Sequence, residues 1–175
     1  MKKLFAMTLC LMMGVSLFGC RKKTDDPAGN KTYRIPKNGV CVVGTDIDAE
    51  DITEFYYTVD APLAVSFYQR YRFYTEDGKH LFFHETREGG SWPMDERYTT
   101  KSGTVELSEQ DWNAFFEILK NGTVQAREED LSTGGSGPWL YLYWKGDQGK
   151  YQEFTFADYG SRLSFEAYCE ALADR

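Results

Sequence analysis

Short runs of β-branched and aromatic residues separated by turn residues recur between residues 39 and 106, which predicts strands. Gly39–Thr45 (GVCVVGT) is a short β-branched run bounded by glycines and predicts a buried strand; Ile52–Val59 (ITEFYYTV) predicts a second. Val65–Glu76 (VSFYQRYRFYTE) is followed by Asp77-Gly78 and then KHLFFHE. Asp-Gly between two such runs favours a type I′ turn, which fixes the register: Glu76 faces Lys79, Tyr74 faces Leu81, Phe73 faces Phe82 and Tyr71 faces His84. Val65, Phe67, Tyr71, Phe73 and Phe82 then form the core side of this hairpin. Residues 96–106 (ERYTTKSGTVE) predict a further strand.

The period then changes. Trp112, Phe115, Phe116 and Leu119 recur at i, i+3, i+4 and i+7, one face of a helix. Ser108 is its N-cap with Asp111 three residues on, Leu107 and Trp112 are placed as a hydrophobic staple, and Gly122 closes it. After the loop at 132–138 (STGGSGP), the run WLYLYWKGDQGKYQEFTFA predicts a second hairpin around Gly146–Gly149. A four-residue loop there puts Trp139, Tyr141 and Tyr143 on one face with Phe156, Phe154 and Gln152. A last helix runs from Ser161 or Ser164 to Ala173, with Phe165, Tyr168, Cys169 and Leu172 inward. The order β-β-β-β-β-α-β-β-α, joined by hairpins, predicts a single α+β domain over residues 39–175: a mostly antiparallel sheet with two α-helices packed on it.

The first twenty residues follow a different rule. Lys2 and Lys3 precede fifteen residues without a charge, Leu4–Phe18. As a helix this run spans roughly 22 Å, short of a hydrocarbon core of about 30 Å, and so fits a signal-peptide core rather than a spanning helix. It ends in Leu17-Phe18-Gly19-Cys20, which resembles the lipobox of bacterial lipoproteins, although Phe18 stands where Ala, Ser, Thr or Val is usual. The resemblance implies cleavage between Gly19 and Cys20, acylation of Cys20 and palmitate-type anchoring to a membrane of the cell envelope, outside the cytoplasm. Two or three acyl chains hold stably where one holds only marginally. Residues 1–19 then read as the signal peptide, and residues 20–38 as a lipidated cysteine and flexible basic tether. The layout of the remainder (strand, D-G turn, strand, helix opened by Leu-Ser, aromatic hairpin) resembles uncharacterised small lipoproteins of gut bacteria. That resemblance implies no activity.

Charge changes the picture once the leader is set aside. The 175 residues carry −7, from 20 Lys+Arg against 27 Asp+Glu. Losing Lys2 and Lys3 with residues 1–19 leaves 156 residues at −9, of which residues 20–38 carry +4 and residues 39–175 carry −13. An acidic head disfavours nucleic acid, whose phosphates need a basic surface. At 42% hydrophobic residues the chain is not disordered, and four cysteines are too few for a disulfide scaffold.

Candidate chemistry is sparse. His80 and His84, the two histidines, are about 13 Å apart along one strand and cannot share a metal. Asp46-Ile-Asp48-Ala-Glu50-Asp51 alternates oxygen donors as a calcium loop does, but lacks its central Gly and closing Glu and reads as a solvated acidic loop. No nucleophile-elbow, H-E-x-x-H or phosphate-loop motif occurs, and no metal or cofactor is expected. Outside the cytoplasm Cys41 and Cys169 could pair, or stand as two buried thiols. In Trp139–Trp144 alternation sends one aromatic set toward the core and leaves the other to stack on a sugar ring or a protein partner, so Tyr141, Tyr143 and Trp144 are the candidate ligand platform. The expected function is a membrane-anchored extracytoplasmic lipoprotein with a non-catalytic binding or envelope-structural domain. The alternative is a lipid-anchored hydrolase of envelope or extracellular polymers, which needs a histidine meeting a carboxylate or hydroxyl in a cleft.

Overall fold

The Asp77-Gly78 turn organises the sheet. Both residues have positive φ, 50° and 75°, as a type I′ turn requires. They join β4 (Phe67–Glu76) to β5 (Lys79–Glu88) in the register the turn dictates, with Glu76 opposite Lys79, Phe73 opposite Phe82 and Tyr71 opposite His84. The computed structural model describes residues 24–25, 31–32, 41–61, 67–91, 93–120, 123–126, 138–144 and 152–175. Val65 lies outside these.

Around that hairpin stands a seven-stranded antiparallel sheet with two helices packed on one face, a single α+β domain. A two-residue ladder, β1 (Thr24–Asp25) with β2 (Lys31–Thr32), precedes it within the stretch read as a tether. The other strands are β3 (Ile52–Ala61), β6 (Thr99–Glu106), β7 (Val124–Ala126), β8 (Trp139–Trp144) and β9 (Gln152–Phe156). Their spatial order is β6-β5-β4-β3-β8-β9-β7. Thus β3 lies between β4 and β8, strands far from each other in sequence.

The helices are α1 (Glu109–Leu119) and α2 (Tyr159–Ala173). The Ser108 side chain accepts from the Asp111 amide while Asp111 reaches back to the Ser108 amide, a reciprocal cap. Trp112, Phe115, Phe116 and Leu119 are all buried, as is Leu107. Phe115 stacks flat on Phe73, with ring centroids 4.1 Å apart and planes at 6°. On α2, Phe165, Cys169 and Leu172 are buried, and Phe165 meets Phe55 at 5.2 Å and Tyr57 at 5.3 Å. The Tyr168 hydroxyl donates to the Asp111 carbonyl at 2.7 Å, and Arg175 pairs with the Asp111 carboxylate at 2.9 Å, so α2 is tied to the start of α1.

Four expectations are corrected. In the run at Gly39–Thr45, the described residues, 41–45, form no strand. Among the described residues, Val42 and Val43 make only isolated bridges, and Val43 N–H and Cys41 C=O bond to β7 at the sheet edge. β7 itself was unexpected; with three residues it has no visible period. α2 begins earlier than Ser161, because Asp158 is the N-cap and accepts from the Ser161 amide at 2.9 Å. Finally, β8 and β9 pair one residue out of the expected register: Leu140 faces Phe154 and Leu142 faces Gln152. One residue of slip exchanges the two faces. Leu140, Leu142, Phe154 and Phe156 are therefore core, while Tyr141 and Tyr143 lie on the face away from the helices.

Candidate functional site

The face opposite the helices is built from alternate residues of β8, β3, β4 and β5. Pairing places Tyr56 between Tyr141 and Arg72, Thr58 between Trp139 and Arg70, and Asp60 against Tyr68. Thr58 is the short side chain in this array. The surface dips there into a hollow of about 480 Å³ lined by Tyr56, Thr58, Tyr68, Arg70, Tyr141 and Tyr143.

Three arginines cross the face, and their partners differ. Arg72 lies over Tyr74 at 4.0 Å and Tyr56 at 5.3 Å and binds Glu54 at 2.6 Å. Partial burial works against its charge, but the Glu54 carboxylate outweighs this and raises its pKa. Arg87 lies over Tyr68 at 4.6 Å, binds Glu85 at 2.7 Å and donates to the Met94 carbonyl at 2.9 Å. Glu85 is itself buried and also accepts from Thr99 at 3.1 Å. Arg70, at the hollow, has no carboxylate partner among the described residues. Its Nε donates to the Tyr68 hydroxyl at 2.7 Å and its guanidinium lies 5.7 Å from that ring. Burial raises the Tyr68 pKa, so the phenol keeps its proton at neutral pH.

Of the expected platform, Tyr141 and Tyr143 line this hollow. Trp144 ends β8 opposite Ile52, and its side chain lies outside the described residues. Gly19 and Cys20 also lie outside them. Tyr56, Tyr68 and Arg70 were missed as site residues. The signal was present: the even positions of FYQRYRFY carry Tyr68, Arg70, Arg72 and Tyr74, the face opposite the core residues Tyr71 and Phe73.

Cys41 and Cys169 are both buried thiols, and no disulfide joins them. Burial pushes the Cys169 thiol well above its ordinary pKa, which leaves it inert. In the acidic loop, Asp46 accepts from the Val42 amide at 3.0 Å and Glu50 pairs with Lys120 at 2.9 Å. Among the described residues, no three His, Cys, Asp or Glu side chains are grouped to hold a metal.

The histidines separate. His80 stacks on Trp112, 4.2 Å between ring centroids and 8° between planes, with Nδ1 3.1 Å from the Thr75 hydroxyl and Nε2 3.5 Å from Glu109. This string of hydroxyl, imidazole and carboxylate lies on the surface, with Thr75 and Glu109 both exposed, rather than in a cleft that excludes water. His84 is buried elsewhere, at 5% exposure. No helix among the described residues is long and apolar enough to cross a membrane. Compared with protein-family models, curated proteins and solved structures, the chain matches none.

Proposed function

We propose that this chain is a lipid-anchored extracytoplasmic lipoprotein whose domain is a non-catalytic binding module, and that its open sheet face takes a saccharide. The observation that carries the reading is the hollow at Thr58. Four tyrosines surround it, and Arg70 stands at its edge with no ion pair to a carboxylate among the described residues. Tyrosine rings offer flat apolar area with a hydroxyl at the tip, which suits the apolar face and hydroxyl rim of a sugar ring. Arg70 supplies a fork of donors to ring hydroxyls or to one carboxylate substituent. A charge of −13 on residues 39–175 repels polyanions, so a neutral or sparsely acidic glycan is favoured. The order of charges along the chain supports an anchored head, with a basic segment next to Cys20 and the acid beyond it.

Affinity electrophoresis of the soluble chain through gels holding laminarin, xyloglucan, dextran or polygalacturonate tests the reading. Retardation by at least one neutral polymer, abolished by Tyr141→Ala and by Arg70→Gln, is expected. Mobility unchanged in all four gels, or retardation that both variants retain, overturns it.

A further inference from the structure

A second concavity lies on the helix-covered side of the sheet. It encloses about 370 Å³ between β4, β5, β6 and the C-terminal end of α2, a volume within the range of small-molecule sites. His84 forms part of its wall and is 95% buried, yet neither ring nitrogen has a hydrogen-bond partner among the described residues. Buried polar groups are almost always satisfied, so this imidazole offers a hydrogen-bonding position that a ligand in the cavity can fill.

The wall around it defines what that partner is. Burial, then the nearby Lys101 ammonium, hold the His84 pKa below its ordinary value, with Asp174 opposing; at pH 7 the ring is neutral and offers a lone pair. Glu88, Glu170 and Asp174 bring three carboxylates to the cavity against one cation, and Lys101 is already paired with Asp174. The last turn of α2 adds the negative end of its helix dipole. The rings of Phe67 and Tyr71 also line it, and aromatic faces attract cations. We propose that this cavity binds a small organic cation carrying a protonated amine, with His84 accepting one of its N–H bonds and the carboxylates of α2 neutralising its charge. The site is on the opposite face of the sheet from the tyrosine hollow and stands or falls independently of it.

The two histidines make the test direct, because each gives its own imidazole signals. The soluble chain, 13C-labelled at histidine, is titrated at pH 7.5 and constant ionic strength with 5-amino-1-pentanol, 1,5-pentanediol and 5-hydroxypentanoate, a cation, a neutral molecule and an anion of one length. A saturable shift of the His84 ring with the amine alone is expected, with His80 unmoved. In Glu170→Gln/Asp174→Asn, shown folded by circular dichroism, the amine should bind at least tenfold more weakly. No saturable shift of His84, an equal response to the diol or the anion, or unchanged affinity in the double variant overturns the proposal.

Discussion

The imidazole of His84 lies over Gly103 on the neighbouring strand so closely that a Cβ at position 103 would stand 2.9 Å from Nε2. Glycine in a strand interior ordinarily weakens the strand. Here it makes room for a ring that could not otherwise reach the wall of the α2 cavity. Gly103→Ala should destabilise the domain by about 1–3 kcal/mol through overpacking. In a His84→Ala background the same substitution should be neutral or stabilising, since the clash is gone and the backbone entropy gain remains. Urea denaturation of the four proteins in this cycle measures the coupling. An equal penalty in both backgrounds would contradict the contact.

His84 also imposes a pH dependence. Its folded pKa lies below the ordinary value of 6.5. Above pH 6.5 it is neutral folded or unfolded and takes nothing from stability. As pH falls below 6.5 the unfolded chain binds the proton first, and stability declines until the folded pKa is passed. The groups facing His84 are Tyr71 on β4, Glu88 on β5, Lys101 on β6, and Glu170 and Asp174 on α2. His84→Gln should therefore lose less of its Tm between pH 7 and pH 5 than the parent chain. Parallel Tm curves for the two proteins would count against the shift.

The start of α1 is held by two separable devices. Ser108→Ala removes the reciprocal cap and should cost about 1 kcal/mol. Trp112→Ala removes a buried ring that stacks on His80 and packs 5.2 Å from Phe116, and should cost about 3–5 kcal/mol. Denaturant midpoints distinguish them; a Trp112→Ala midpoint within error of the parent would place that ring outside the core.

The proposed lipid anchor depends on Cys20. Cys20→Ala should abolish palmitate labelling and move the protein from the membrane pellet to the soluble fraction, because no other acylation site is proposed. Labelling that persists in this variant would remove the lipoprotein reading while leaving the fold untouched.

What was legible in the sequence was what is decided locally. The Asp77-Gly78 turn admits one geometry, so Tyr71, Phe73 and Phe82 fell on the core face as expected. The Ser108–Asp111 cap was legible for the same reason. The β8–β9 register was not. WLYLYW offers apolar side chains on both faces, and no two-residue turn links it to β9, so burial decides: Leu140 and Leu142 go inward and the tyrosines, with hydroxyls to solvate, go outward. The candidate site was half legible. Tyr141 and Tyr143 declared themselves as a row, but Tyr56, Tyr68 and Arg70 join them only because β3 lies between β4 and β8, an order that alternation does not encode.

The open-face reading is tested most directly by filling the hollow rather than stripping it. Thr58→Tyr leaves every tyrosine and Arg70 in place and puts a ring where the saccharide is held to sit. Isothermal titration with the polysaccharide that retards the parent chain, at unchanged Tm, is the measurement. Loss of binding by tenfold or more is the expected result; affinity equal to that of the parent would contradict a saccharide site on this face.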